Sequence, residues 1–548
     1  MILSFLITFP ILSAAAVMLI GKTPKVQKDL KIFALLVSVV ELIAAACMYY
    51  RFLFNHSNNY VSYGQYHFVE RYAWVPSYNI EYFLGIDGLS VYFILLTAIL
   101  TPLCLLVSWK SIENRVSTYF ALFLLMEGII IGFFAALDLV LFYLFFESVL
   151  IPMFFIIGGW GGENRIYATF KFFLYTFFGS VFMLVAITYI IYNCGSGDIS
   201  RFTTSDFDGV RSSHLLWLAI FIAFAVKIPM WPFHTWLPDA HVQAPTGGSV
   251  ILAGVLLKMG GYGMLRVLLP LMPHLSFDVF GNTIQILSII AIIYTSFVAL
   301  AQTDMKKMIA YSSVAHMGYV TAGIFTNFDI FTGFIRVVSL SGVASAVALG
   351  SGGVLGSTVS PGAMIEGLSA ATNFELSGMS GAMMQMISHG VISSALFLIV
   401  GMLYERTHTK EIAAYGGLAH KMPVLSAFFM LFMLASVGLP GTSGFVGEFM
   451  VIVAVFGVKP IYGFCVATGM VMGAAYMLTL YRRVVFTDYS DDASVVMAGT
   501  ATSKTTTDIS CREVLILAML SILVLLLGIY PKVILPVIDN TIYAMINQ

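Results

Sequence analysis

Apolar residues fill most of this chain in long runs, which short polar or charged segments separate. A helix needs about 20 apolar residues to cross a bilayer. We predict 14 membrane-spanning helices, over residues 2–20, 32–52, 86–108, 117–136, 138–157, 169–192, 214–238, 248–270, 283–301, 306–326, 377–403, 423–457, 460–481 and 513–532. Barrel strands would alternate in polarity, so the predicted fold class is an all-α polytopic membrane protein. The first run has no small-residue cleavage pattern before Lys22, which predicts an uncleaved helix.

Two of these predicted spans contain helix-breaking sequences. The seventh holds three prolines within Lys227-Ile-Pro-Met-Trp-Pro-Phe-His-Thr-Trp-Leu-Pro238, and the twelfth holds Gly438-Leu-Pro-Gly-Thr-Ser-Gly444. The twelfth run would be about 52 Å long as a straight helix, too long for a hydrocarbon core of ~30 Å. We predict that both spans are broken where they line a polar cavity. Their offset of five spans indicates an internal repeat, and an odd offset makes the second copy inverted.

This repeat suggests a division of the chain into four parts. Residues 1–116 hold the first three helices, 117–270 form the first five-helix repeat, 271–484 form the second, and 485–548 hold a loop and the last helix. The segment 336–376 does not fit, because its part from Gly342 to Val359 is uncharged and consists mostly of Gly, Ser, Ala and Val. A linker, a re-entrant piece or an extra span would each explain it. An extra span would reverse the orientation of every later helix and would place the basic connection 404–421 on the wrong side of the membrane. We therefore favour a non-spanning insert on the outer side.

The orientation follows from Lys and Arg in the loops. The connections 21–31, 109–116, 158–168, 302–307 and 404–421 lie on one side and carry Lys or Arg, most densely in 21–31 with four lysines against one Asp, whereas 53–85 and 193–213 are net negative. The basic side therefore faces the cytoplasm or the mitochondrial matrix. An even number of spans then places both ends of the chain on the opposite side.

Composition excludes several classes of protein. Hydrophobic residues make up 59% and charged residues 10%, with a net charge of -1, whereas soluble domains carry about 25% charged residues. A soluble enzyme, a disordered chain and a nucleic-acid-binding protein are therefore excluded. The five cysteines are scattered singly, and the sequence contains no CxxC, CxxCH, Walker A or GxGxxG signature. We predict neither a cofactor nor a metal site in this chain.

Ionisable residues within the predicted spans are the candidates for chemistry, since a charge at mid-membrane costs about 2.5–3.5 kcal/mol on insertion scales. Six lie near the middle of their spans, at depths that agree within about one helical turn: Glu147, Lys227, Lys258, His316, His389 and Glu448. Each alone has a plainer explanation, as a structural ion pair or a satisfied core histidine. Their shared depth favours a row along the membrane midplane. Glu127 is a weaker candidate, and Glu41 is predicted to be structural or incidental.

The types of residue in this row suit proton movement. Burial opposes the charge of a lysine and a nearby carboxylate favours it, so a lysine beside Glu147 would hold its proton until the two separate. Histidine titrates near neutral pH and passes protons through either nitrogen. His234 and Asp239-Ala-His241 also include metal-capable residues at the end of the broken seventh span. We favour a polar loop or water-lined segment there over a metal site.

Several stretches resemble a known family: Phe145-Phe-Glu-Ser-Val-Leu-Ile-Pro-Met-Phe, Ala225-Val-Lys-Ile-Pro-Met-Trp-Pro-Phe-His-Thr-Trp-Leu-Pro-Asp-Ala-His, Leu257-Lys-Met-Gly-Gly-Tyr-Gly, Asp304-Met-Lys-Lys-Met-Ile-Ala-Tyr-Ser-Ser-Val-Ala-His-Met-Gly and Leu439-Pro-Gly-Thr-Ser-Gly-Phe-Val-Gly-Glu-Phe. The chain resembles the antiporter-like proton-pumping membrane subunits of respiratory complex I, NADH–quinone oxidoreductase. The resemblance covers roughly 1–335 and 377–535. Most of 336–376 has no counterpart in the family pattern.

The resemblance implies 14 helices with inverted repeats and proton transfer along a hydrated axis. It implies a coupled pair at Glu147 and Lys227, a central relay at Lys258, axis histidines at His316 and His389, and a terminal acid at Glu448. The related chains L and N look Lys-like at the last position, and they are the implied partners in a bacterial cytoplasmic or mitochondrial inner membrane. NADH, FMN, iron–sulfur clusters and quinone would be bound by other subunits.

Two other functions stay open from the residues alone. The first is a subunit of a multisubunit cation/proton antiporter, a secondary transporter of the same fold. The second is a membrane scaffold whose buried charges only pair. Moving one charge against 100 mV costs about 2.3 kcal/mol, so a pump also needs an energy source. The sequence contains no site that supplies one, which predicts a multisubunit assembly.

Overall fold

The computed structural model describes residues 1–20, 27–57, 66–201, 212–326, 361–487 and 507–546. We number its helices in chain order: α1 Ile2–Ile20, α2 Gln27–Ser57, α3 Ser90–Ser111, α4 Val116–Ala135, α5 Leu139–Trp160, α6 Arg165–Cys194, α7 Ser213–Lys227, α8 Trp236–Gln243, α9 Thr246–Leu271, α10 Gly281–Leu300, α11 Met305–Ile324, α12 Pro361–Thr407, α13 Leu418–Lys421, α14 Pro423–Val437, α15 Ser443–Val458, α16 Pro460–Phe486, α17 Cys511–Ile529 and α18 Leu535–Ile546. Single helical turns lie at Pro76–Tyr78, Ile199–Arg201, Leu275–Val279, Ile412–Ala414 and Pro531–Val533.

The described residues form an apolar helical bundle, which confirms the predicted all-α class. Eleven helices in the described part of the chain are long and apolar enough to cross a membrane. Three shorter apolar helices, α7, α14 and α15, border the two predicted breaks. The total of 14 spans, the four-part division and the inverted repeat stay predictions.

Both predicted breaks are present. Helix α7 ends at Lys227, and the indole of Trp236 at the start of α8 donates to the Val226 carbonyl at 3.0 Å. That contact satisfies one of the carbonyls that the prolines leave without a helical partner. The second break begins at Gly438, whose φ of +84° ends α14 in a conformation that side chains disfavour, and α15 resumes at Ser443.

Two further helices are irregular where they carry candidate residues. Helix α5 consists of two segments, Leu139–Ser148 and Leu150–Trp160, and Glu147 lies at the end of the first. Helix α9 contains two wider π-helical turns, Leu252–Leu256 and Met264–Leu268, and Lys258 lies between them. Such turns release backbone carbonyls from the regular ladder and are frequent at functional sites.

A β-hairpin lies within the connection 53–85, which was predicted only as a loop. Strand β1, His67–Val75, pairs antiparallel with β2, Ile80–Ile86. Because β2 runs to Ile86, the next helix begins at Ser90 and not at the predicted residue 86. On β1 the buried Glu70 carboxylate accepts from the backbone N–H of Leu3 at 2.9 Å, which fixes the start of α1.

The boundary of α12 also differs from the prediction. This helix begins at Pro361, so 361–376 continues the predicted span 377–403 as helix. Residues 336–360 of the predicted insert lie outside the described residues, and the outer location of the insert stays a prediction. Beyond the last predicted span, α18 forms a further helix of 12 residues.

Candidate functional site: a row of buried ionisable groups

The centre of the bundle holds a lysine and a histidine in direct contact. Lys258 on α9 is fully buried, and its Nζ lies 2.8 Å from Nδ1 of His389 on α12. The ammonium also donates to the carbonyl of Ala253, which belongs to the first π-helical turn of α9. The irregular turn therefore supplies a carbonyl that holds the lysine toward α12.

Two glycines let α9 and α12 approach at this point. A Cβ on Gly390, next to His389, would lie 2.8 Å from the Gly254 carbonyl and 2.7 Å from Leu96 Cδ2. A Cβ on Gly254 would lie 2.7 Å from Ser394 Oγ on α12. Because a backbone carbonyl does not turn aside as a side chain does, glycine at 390 is what allows the two helices to lie this close beside the contact between Lys258 and His389.

A second polar contact joins α11, α12 and α15. Nδ1 of His316 lies 2.7 Å from Oε1 of Glu448, and both side chains are buried. The amide of Gln385 donates to the same Glu448 oxygen at 2.9 Å. Nε2 of His316 lies 3.3 Å from the hydroxyl of Ser436 at the end of α14. Glu448 is therefore held in place by His316 of α11 and Gln385 of α12, beside the Gly438 break.

The two contacts meet at a small cavity. The rings of His316 and His389 are 5.5 Å apart between centroids. Their cavity is also lined by the hydroxyls of Ser312, Ser393 and Ser436. Nε2 of His389 has no hydrogen-bond partner among the described residues. We call the four ionisable residues from Lys258 through His389 and His316 to Glu448 the axis.

Glu147 and Lys227 form a separate pair. Lys227 interacts electrostatically with Glu147, but its Nζ makes no hydrogen bond in the described part of the protein. The ammonium instead lies 4.7 Å from the centre of the Phe146 ring, a cation–π contact. One Glu147 oxygen, Oε1, is likewise buried without a hydrogen-bond partner among the described residues. The predicted row of six thus divides into a connected set of four and a loosely held pair.

The metal-capable residues after the first break face different neighbours. Asp239 binds the Lys171 ammonium at 2.6 Å. The His241 ring is fully buried and stacks on Phe397 at 4.4 Å between centroids. His234 lies against the edges of Tyr294 and Tyr311. In the described ranges no three His, Cys, Asp or Glu residues come together as a metal site would require.

A cavity, which we call the vestibule, lies at the end of the bundle with the predicted basic loops. It is lined by Ser108, Lys110, Ser111, Ile112, Glu113, Tyr119, Trp160, Gly161, Gly162, Gln243, Ala244, Pro245, Thr246, Lys306, Tyr404, Glu405, His408 and Lys410. Two lysines hold the α8–α9 connection there: Lys306 donates to Ala244 O at 2.9 Å and Lys410 to Val242 O at 2.6 Å. Burial lowers the pKa of Lys410, which lies in the loop after α12.

His241 lies between the vestibule and the axis. It interacts electrostatically with both Lys306 and Lys258, and neither of its ring nitrogens has a hydrogen-bond partner in the described residues. The sequence indicated both His234 and His241 as weaker candidates. In the structure, His241 is the one that interacts with a member of the axis, Lys258. Glu127 lies apart, on α4, with Glu41 as its electrostatic neighbour.

Sequence reasoning missed two members of the site, Gln385 and Ser436. Gln385 stands four residues before His389, on the same helical face. A polar side chain inside an apolar span is the signal that identifies it. Ser436 has no comparable signal, because a serine near a helix end is common.

Comparisons with known proteins support one family. A model of the family "NADH:quinone oxidoreductase/Mrp antiporter, TM" matches residues 136–354 and 354–473. A model described as "NADH-ubiquinone oxidoreductase chain 4, amino terminus" matches residues 66–134. The two pieces of the first match meet at residue 354, inside the predicted insert.

Relatives and solved structures agree with this family. The chain is 47% identical to NADH-quinone oxidoreductase subunit M of Rickettsia conorii, over 99% of this chain and 98% of that protein. It is 41% identical to NADH-ubiquinone oxidoreductase chain 4 of Marchantia polymorpha, over 88% and 86%. Respiratory complex I of Thermus thermophilus contains a chain that matches with a TM-score of 0.76 at 26% identity, with all of both chains covered. The Mrp complex of Dietzia matches in fold, with a TM-score of 0.76 at 18% identity, over 52% of that chain.

Proposed function

Because the chain belongs to the family of antiporter-like membrane subunits of NADH–quinone oxidoreductase, we propose that it moves protons through the membrane along the axis from Lys258 to Glu448. The observation that supports this proposal is the connected series of donor and acceptor atoms. Lys258 Nζ meets His389 at 2.8 Å and His316 meets Glu448 at 2.7 Å, and both rings line one small cavity.

Each axis group has a distinct role in this proposal. Lys258 donates a proton to Nδ1 of His389, and the unpartnered Nε2 of His389 releases it into the cavity. A water molecule in the cavity would accept that proton and pass it to His316. Glu448 stabilises the protonated His316 and then takes the proton itself. The Gly438 break beside Glu448 gives the proton a route out of the helix bundle.

Glu147 and Lys227 act as the gate of this transfer. When they are in contact, the carboxylate neutralises the ammonium. The structure holds Lys227 over Phe146 without a hydrogen bond, so no hydrogen bond has to break when the two groups separate. Separation leaves a buried positive charge on the α7 side of Lys258. That charge would repel the proton of Lys258 toward His389.

Protons reach the axis from the basic side through the vestibule. Lys306 lines the vestibule and His241 lies between Lys306 and Lys258. Neutral histidine both donates and accepts, so His241 passes a proton from the vestibule to Lys258 without a net change of charge. His234 contacts two tyrosines beside this route and has a supporting role.

The energy for pumping comes from other subunits. This chain carries out proton transport within the oxidoreductase complex, and the redox reaction between NADH and quinone takes place elsewhere, together with FMN and iron–sulfur clusters. Its partners are other membrane subunits, including the related chains L and N. The membrane is the bacterial cytoplasmic or mitochondrial inner membrane, with the vestibule facing the cytoplasm or matrix and both termini on the other side.

Transport by a multisubunit cation/proton antiporter is the alternative. The Mrp structure shares the fold, but at 18% identity it supports the fold alone. Relatives at 41–47% identity carry oxidoreductase names. NADH-independent, Na⁺-driven proton movement in vesicles that contain the purified assembly would favour the antiporter.

Lys227→Ala and Glu147→Ala test the gate in the intact complex. We expect both variants to assemble and to lose most NADH-driven proton transport, measured with a pH-sensitive dye in membrane vesicles. Lys459→Ala is the matched control, because this lysine is exposed at the end of α15 and donates to Asn282 instead of to a member of the axis or the gate. Normal pumping by assembled Lys227→Ala enzyme would show that the pair is structural.

A further inference from the structure

Two carboxyl groups away from the axis are buried together. Glu41 on α2 has no exposed surface and Glu127 on α4 has 1%. They interact electrostatically, and both oxygens of each lack a hydrogen-bond partner among the described residues. Neither residue has a part in the proposed transfer along the axis.

Within the described residues, the helices packed around this pair place no basic side chain against it. Helix α1, which packs against both α2 and α4, carries no ionisable side chain. On α3 the nearest titratable group is Cys104, which itself interacts with Glu127. Lys31 is ten residues, or about 15 Å of helix, from Glu41, and its ammonium donates to Trp109 O and Ile112 O.

The remaining neighbours also leave the pair without a positive charge. Helix α4 carries Tyr119 as its other titratable group, and Arg51 on α2 is ten residues from Glu41 on the opposite side. On α5, which packs against α4, Glu147 interacts with Lys227. Two ionised carboxylates that interact electrostatically repel each other, and burial at membrane depth disfavours each. The pair is therefore stable only when it holds at least one proton.

A stripe of small polar groups connects this pair with the vestibule. Thr97, Thr101, Cys104 and Ser108 follow each other on α3 at intervals of four, three and four residues, which places them on one helical face. All four are buried. Thr101 is adjacent to Glu127 and donates to the Thr97 carbonyl at 3.0 Å.

The other end of this stripe opens into the vestibule. The Ser108 and Tyr119 hydroxyls lie 3.0 Å apart, and both line it. The Cys104 thiol lies 3.5 Å from the Gly247 carbonyl at the start of α9. Hydroxyl groups accept and donate together, so they are able to support proton exchange between the pair and the vestibule.

We propose that Glu41 and Glu127 form a second proton-binding site, which exchanges its proton with the basic side through the α3 stripe and the vestibule. The site takes a proton and not a metal ion, because two carboxylates alone provide too few ligands for a hard cation. Its existence does not depend on the axis, so its test does not use pumping.

Dicyclohexylcarbodiimide is a suitable probe, since it reacts with protonated carboxyl groups in apolar surroundings. The acid proton moves to a carbodiimide nitrogen while the carboxylate oxygen adds to the central carbon. The adduct then rearranges to a stable N-acylurea without a leaving group. Inside-out vesicles that contain the intact complex expose the basic side to the medium, and mass spectrometry of digested membranes measures the modified fraction of each residue.

Glu513 is the matched control carboxylate. It has 4% exposure, like the pair, but binds Arg406 through both oxygens at 3.0 and 2.9 Å. We expect modification of Glu41 or Glu127 to exceed that of Glu513 by roughly tenfold at neutral pH, the ratio that a difference of 1.4 kcal/mol in protonation would give. Labelling should fall when the outside pH is raised while the lumen pH is fixed.

Thr101→Val replaces one hydroxyl of the stripe with a methyl group of similar size. In this variant, the labelled fraction of the pair should respond more slowly to a sudden change in the outside pH. Glu127→Gln should abolish labelling at that position. Labelling no higher than that of Glu513, or labelling that follows the lumen pH, would refute the site. Because the central measurement uses the unmodified chain, a variant that fails to assemble does not affect the result.

Discussion

Glu448→Gln is the sharpest test of the axis, because it removes one charge and changes almost nothing else. The amide keeps an oxygen acceptor for the Gln385 amide, which lies 2.9 Å away, and fills the same volume. It is still able to accept from Nδ1 of His316 across the observed 2.7 Å. The variant should therefore fold and assemble.

The magnitude follows from the lost charge. A hydrogen bond to a charged group contributes about 1.5–3 kcal/mol, and a neutral one about 0.5–1.5 kcal/mol. The protonated state of His316 therefore loses about 1–2 kcal/mol of stabilisation, which lowers its population roughly 5- to 30-fold. The terminal acceptor of the axis also disappears, because an amide does not take up the proton.

The assay compares proton uptake with NADH oxidation in the same inside-out vesicles. Glu448→Gln should assemble and pump poorly per NADH oxidised. Glu448→Asp is the matched control, since it keeps an ionisable group on a shorter side chain and should retain partial pumping. If the Gln enzyme pumps like the wild type while the Asp enzyme fails to assemble, Glu448 is structural and its assignment to the axis is wrong.

Two further predictions concern packing and ion pairing. Gly390→Ala places a Cβ 2.8 Å from the Gly254 carbonyl, so α12 must shift and the contact between Lys258 and His389 should open. Proton pumping by the assembled complex should then fall, although no ionisable group is removed. Unchanged pumping would contradict the role of this contact in proton transfer. Arg406→Met leaves the buried Glu513 without its counter-charge, which should cost about 3–5 kcal/mol and lower the thermal midpoint of the purified assembly. Adding Glu513→Gln to that variant should recover most of the loss, and no recovery would argue against the ion pair.

The bundle and its breaks were predictable because the length of an apolar run and the positions of proline and glycine are both visible in the sequence. Runs of apolar residues fix the helices, and the prolines after Lys227 and the glycines around Gly438 fix the breaks. The hairpin at His67–Ile86 was missed, since a search for runs of helical length passes over strands of nine and seven residues. The aromatic and β-branched residues of Phe68-Val-Glu-Arg-Tyr-Ala-Trp-Val were the available signal.

The site was predictable in its members but not in its connections. Depth along each span placed Lys258, His316, His389 and Glu448 at one level. Depth alone does not show which side chains face each other, because this depends on how helices rotate about their axes. The same limit explains why Lys227 and Glu147 seemed part of one row, although the structure holds them as a separate pair. Glu41, predicted as structural or incidental, acquires Glu127 as its electrostatic neighbour only through the packing of α2 against α4.

The two π-helical turns of α9 have a consequence for how the gene tolerates change in length. Each such turn accommodates one residue more than a regular helix would, so Lys258 is out of phase with the helix before Leu252 and after Leu268. Deleting one residue from 252–256 would convert the first turn into regular helix and leave the segments on either side close to their present orientation, because the wide turn already absorbs one residue more than a regular turn needs. The same deletion in a regular helix such as α10 would rotate everything after it by about 100°. A codon deletion within these five residues should therefore disturb assembly less than one in a regular helix, and its main effect should be to return to the helical ladder the carbonyl that holds Lys258.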